Sequence, residues 1–175
     1  MSTDPRYPLG IYQPQVFSHE VKEKWLLDIK YLPDELETAV QNLDAAQLDT
    51  PYRESGWSIK QLVHHVADSH MNAYIRFKLG LTEHHPTIKP YDEKEWAKLA
   101  DNDLVPINVS LTLLHALHQR WYAILKGLTE EQFERTVVHP EHGRQMSLWF
   151  LLGLYAWHGK HHTAHITTLR EKKGW

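Results

Sequence analysis

Four stretches of the chain repeat apolar residues every three to four positions, a period that suits a helix and not a strand. The first begins after Ser18, which can cap it, and carries Trp25, Leu26, Ile29, Leu32, Leu36, Val40 and Leu43 to about Asp44. Pro33 is expected to kink it. The second opens at the capping box Ser58-x-x-Gln61 and runs to about Leu81. The third starts at Asn108 or Ser110, carries Leu111, Leu114, Leu117, Trp121 and Leu125, and stops at Gly127. Ser147 caps the fourth, which runs to about Lys172. Shorter helices are expected over Glu93 to Leu99 behind Asp92, and after Thr129-x-x-Gln132. Thr136 to Met146 reads as one small hairpin turning about Glu141 to Gly143. Residues 1–17, with three prolines, read as an extended arm. With 175 residues and no internal linker or repeat, the expectation is one all-α domain over 1–175, a four-helix bundle with short extra helices.

Charge and composition narrow the function. The formal net charge is -3 and there is no Lys/Arg stripe, so neither nucleic acid nor an anionic membrane is an expected partner. No apolar run reaches the roughly 20 residues that span a bilayer, and the N-terminus lacks a secretory pattern. A cytoplasmic protein is the expectation. There is no cysteine, which removes thiol nucleophiles, disulfides and thiolate-bound metal.

Histidine stands out, with 14 in the chain. Three fall in HHVADSH (His64, His65, His70), four in WHGKHHTAH (His158, His161, His162, His165), and a further pair, His84 and His85, sits in a proline-flanked loop that reads as solvated. Residues four apart on a helix project side by side, so His158 and His162 can chelate one transition metal; His161 and His165 compete at the same spacing. The stripe Leu148, Leu151, Tyr155, His158, His162, Ile166, Leu169 favours the first pair as inward, with His161 about 100° round the helix on the flank. His165 is then a neighbour of the pair. On the second helix the stripe Ile59, Leu62, Val66, Ala73, Phe77 leaves the third ligand open.

Here a resemblance enters. Gly56-Trp57-Ser58 followed by His65, eight residues after the tryptophan, and the late His158-x-x-x-His162 resemble the metal motifs of the DinB-like superfamily. YPLG at 7–10, LDTPYRESGW at 48–57, HHVADSHMNAYIRFKL at 64–79, PYDEKEW at 90–96 and HHTAHI at 161–166 resemble the YfiT-type metal-dependent hydrolases within it. The resemblance implies an up-down-down-up bundle, a homodimer, and one zinc or nickel ion on His65, His158 and His162. One position departs: many members carry glutamine three residues after the last ligand, where this chain has His165.

Three neutral imidazoles leave a fourth metal position open. Water there ionises near neutral pH, the chemistry of a hydrolase. A thiolate bound there instead makes a thiol S-transferase, with a bacillithiol-like cosubstrate because the chain supplies no thiol. A closed site would make a non-catalytic dimeric metal-binding module. Asp68, three residues after His65, is a candidate acceptor for a ligand's second N–H, and Arg76 a candidate anchor for an anionic substrate. Most tryptophans and tyrosines, such as Trp25, Trp121 and Tyr155, fall on core stripes and read as packing.

Overall fold

The computed structural model describes residues 4–140 and 143–175. Its long helices are α1 (His19–Val40), α3 (Ile59–Thr82), α6 (Ile107–Leu125) and α8 (Leu148–Lys173), with short helices α2 (Ala45–Leu48), α4 (Glu93–Trp96), α5 (Asp101–Leu104) and α7 (Glu130–Glu134) between them. Strands β1 (Thr136–His139) and β2 (Arg144–Ser147) pair antiparallel, Thr136 opposite Ser147 and His139 opposite Arg144. This is the expected hairpin, one residue longer, and its Glu141–His142 apex lies outside the described residues.

Capping chemistry sets most of the boundaries. Ser18, Ser58 and Ser147 each accept a backbone N–H of the first turn, and Ser58–Gln61 and Thr129–Gln132 form complete capping boxes. Three expectations need correction. Helix α1 passes through Pro33 but ends at Val40 rather than near Asp44, because Asn42 takes φ 63° and Asp44 caps α2 with its own box. Helix α6 starts at Ile107, before Asn108, behind Pro106, which fixes φ and has no N–H to satisfy. The helix expected over Glu93 to Leu99 ends at Trp96 as α4, and a further short helix, α5, follows outside that range.

Side-chain contacts give the helix directions. Along α1, Trp25, Asp28 and Ala39 meet Trp149, Lys160 and Arg170 in ascending order on α8, so these helices run parallel. Along α3, His64, His70 and Phe77 meet Ser110, His118 and Trp121 on α6, again in parallel. His65 and Arg76 meet His158 and Tyr155 in descending order, so α3 and α8 are antiparallel. The bundle is therefore up-down-down-up. Only a long connection returns the chain for a parallel neighbour, and residues 83–106 supply it.

The core has two apolar clusters. One gathers Trp25, Ile29, Phe77, Trp121, Phe133 and Leu151; the other gathers Leu36, Ile59, Leu62, Leu114, Ile166 and Leu169. Between them each of α3, α6 and α8 turns histidines inward. His65, His70, His118, His161, His162 and His165 are buried, and they form a polar layer across the bundle.

Candidate metal centre

Helix periodicity aims His158 and His162 at the same point, one turn apart on α8, and α3 brings His65 to meet them. His158 Nε2 lies 3.2 Å from His65 Nε2 and 3.1 Å from His162 Nε2. One ring nitrogen from each of the three lies within 4.8 Å of the others. Imidazoles bound at 2.0–2.1 Å to a tetrahedral ion hold their nitrogens roughly 3.3–3.4 Å apart, so the set fits one divalent ion with little adjustment. Burial pushes His65 down to about 4. It pushes His158 and His162 well below the ordinary histidine value, with neighbouring histidines adding to the effect. The rings are thus neutral at physiological pH, the form that donates a lone pair to a metal.

The far sides of two of these rings are held by further histidines. His158 Nδ1 lies 3.2 Å from His70 Nε2, and His70 Nδ1 lies 3.0 Å from His118 Nε2. His162 Nδ1 lies 3.4 Å from His165 Nδ1, whose Nε2 is 3.3 Å from the Arg6 carbonyl. His165 also stacks on Tyr52 with centroids 4.0 Å apart. Its place is beside His162, one contact away from the convergent nitrogens. Trp57 packs on His65 at 4.5 Å, which gives the tryptophan of the Gly-Trp-Ser segment a structural use.

Other expected residues fall elsewhere. Asp68 makes no side-chain hydrogen bond to His65; its carboxyl sits toward α5, raised to about 6 by burial and by Asp101. Arg76 donates to the Tyr155 hydroxyl at 2.7 Å and to the Lys89 carbonyl at 3.4 Å, so it ties a loop to α8. His64 turns to Ser110, at 2.8 Å. His161 is on the flank of α8 but is buried: Tyr7 of the N-terminal arm lies beside it, and Trp157, one turn earlier on α8, stacks on it. The arm is pinned to α8 where Tyr12 donates to the Phe150 carbonyl and the Trp149 indole donates to the Gln15 carbonyl. Of the loop pair, His85 meets the Thr136 hydroxyl and both histidines are exposed.

Two contributors carry no motif. His118 was legible, since Leu111, Leu114, His118, Trp121 and Leu125 form an unbroken stripe with a histidine in its middle. Arg6 was not, because it acts through its backbone carbonyl.

A cavity of about 680 Å³ opens on the His162 and His165 edge, with Arg6, Tyr52, Trp57 and Lys94 among its walls. That volume suits a small molecule.

Comparison with known proteins bears on the family and the fold. A family model for the DinB superfamily matches residues 29–166. A Bacillus mycoides (strain KBAB4) protein named "Putative metal-dependent hydrolase" is 53% identical over 173 residues, covering 98% of this chain and 99% of its own length. A like-named protein of Bacillus cereus (strain B4264) is also 53% identical over the same coverage. The solved structure of YfiT from Bacillus subtilis, described as "a probable metal-dependent hydrolase with an unusual four-helix bundle topology", superposes with a TM-score of 0.95 at 49% identity, covering 98% of each chain. With a family match over residues 29–166 and relatives alike over nearly their whole length, the chain belongs to the DinB superfamily, among its YfiT-type members.

Proposed function

We propose that this protein is a metal-dependent hydrolase in which His65, His158 and His162 hold one divalent ion, zinc or nickel, through their Nε2 atoms. The observation that carries the reading is the convergence of these three nitrogens beside a small-molecule cavity. A bound ion supplies Lewis acidity and lowers the pKa of a water to roughly 7. The chain's own residues do the rest. Three histidines leave one coordination position, and the cavity gives it a route to substrate. His165 steadies His162 from behind, and His70 does the same for His158. Trp57 and Tyr52 pack on His65 and His165 and give the cavity apolar walls beside the site.

Thiol transfer would use the same residues, so the two reactions are separated by experiment. Metal-loaded protein is offered ester and amide substrates, and electrophiles with and without a low-molecular-weight thiol, with His158→Ala as the control. Hydrolysis without thiol, lost in the control, is the expected result. Turnover seen only with added thiol would replace the reading by a transferase, and no metal-dependent turnover in any arm would leave a binding module.

A further inference from the structure

Among the described residues, one chain of contacts leads from the convergent nitrogens into the core and ends on a backbone carbonyl. His118 Nδ1 lies 2.5 Å from the carbonyl oxygen of Ile29 on α1. His118 Nε2 lies 3.0 Å from His70 Nδ1, and His70 Nε2 lies 3.2 Å from His158 Nδ1. The His118 and His70 rings are inclined by only 20°, with centroids 5.0 Å apart. That separation is too wide for face-to-face stacking and suits two rings hydrogen-bonded edge to edge. His118 and His70 are almost wholly enclosed, and no carboxylate is hydrogen-bonded to any of the three rings among the described residues.

We propose that His118 and His70 are positioning residues that fix the tautomer of His158, with the Ile29 carbonyl as the anchor. The direction is forced. A carbonyl only accepts, so His118 carries its proton on Nδ1 and donates it to Ile29. A neutral imidazole has one proton, so His118 Nε2 is bare and accepts from His70 Nδ1–H. His70 Nε2 is then bare and accepts from His158 Nδ1–H. His158 Nε2 is left with its lone pair, aimed at the Nε2 atoms of His65 and His162. Any other assignment of single protons sets two lone pairs or two N–H groups against each other at one of these three contacts; the fully reversed chain does so at Ile29, where a bare His118 Nδ1 would face the carbonyl oxygen. Two buried rings thus carry an instruction from α1 through α6 and α3 to a nitrogen on α8. A metal meeting His158 needs no tautomer exchange and displaces no proton from it.

The inference rests on His158 being a metal ligand, but its first test does not. Long-range proton–nitrogen correlation spectra of metal-free protein with ¹⁵N-labelled histidine, at pH 8, report which ring nitrogen is protonated. The expected result for His158 is a protonated, pyrrole-like Nδ1 and a bare, pyridine-like Nε2. A protonated Nε2 would overturn the proposal at once, whether or not any variant folds. His118→Leu removes the acceptor while filling the space. It should give mixed His158 tautomers and weaken zinc binding, measured by competition with a chelator, by about 10–100-fold. In His118→Gln the amide can donate to Ile29 and accept from His70, so this variant should restore both readouts. Unchanged His158 tautomer and zinc affinity in folded His118→Leu would contradict the relay. If wild type shows the expected tautomer yet binds no zinc, the relay stands and the metal assignment fails.

Discussion

His161 and His162 are adjacent in sequence, equally histidine, and both buried, yet only His162 turns its ring to His158. The apolar stripe of α8 distinguishes them, so this part of the site was legible. The third member was not legible from periodicity, because HHVADSH offers three histidines near the face of one helix; His65 came only from the resemblance carried by Gly56-Trp57-Ser58. The choice needs the register of α3 against α8, which no periodicity within α3 encodes. His165 stands where many relatives by resemblance carry glutamine, and it meets His162 at 3.4 Å. An amide can make the same contact, so His165→Gln should keep most of the zinc affinity, whereas His165→Leu should lose about 10-fold or more in a chelator competition. Asp68 offers a separate test. Its carboxyl is raised to about 6 chiefly by burial, so the folded state favours the protonated form. The stability this gives is present below the ordinary aspartate value and lost as pH rises through 6. Asp68→Asn should therefore stabilise the protein at pH 7.5 by about 1 kcal/mol, allowing for a half-exposed group, and should do little at pH 4. Equal effects at both pH values in thermal unfolding would contradict this.

At the scale of elements, the four helices were readable because each has its own stripe, and α1, α3 and α8 each have a serine cap as well. Where the reading of α1 ran too far, a polar turn at Asn42 and a second capping box at Asp44 compete with the helix, and Leu43 merely keeps the period by chance. Directions were out of reach from periodicity, since a stripe looks the same in a parallel or an antiparallel partner. The close approach of α1 to α8 has a local cause. A Cβ at Gly159 would overlap the side chain of Leu32, so glycine beside His158 lets the helices close on the histidine layer. Gly159→Ala should cost about 1–3 kcal/mol in denaturant unfolding through overpacking, despite alanine's better helix propensity. An unchanged or higher stability would show that Leu32 moves aside freely.

Across the whole molecule, the histidine layer makes the fold sensitive to acid. Burial pushes His65, His118, His161 and His165 down to about 4, and lowers His64, His70, His158 and His162 as well. For each the folded state favours the neutral ring, so the contribution is present above the ordinary histidine value near 6.5 and is lost as pH falls toward 4. The melting temperature of metal-free protein should therefore fall steeply between pH 6.5 and 4, with uptake of several protons on unfolding. A flat profile across that range would contradict the burial of the layer. The same neutral rings are what a divalent ion requires, so acid should release metal and loosen the bundle together. The most direct test of the central claim is calorimetric titration of zinc into tag-free, chelator-stripped protein, comparing wild type with His162→Ala and His161→Ala. The account predicts one ion per chain in wild type and in His161→Ala, with binding in His162→Ala weakened by several kcal/mol out of the roughly 10–16 seen for whole zinc sites. Stoichiometric, undiminished binding by folded His162→Ala, or none by wild type, would contradict it.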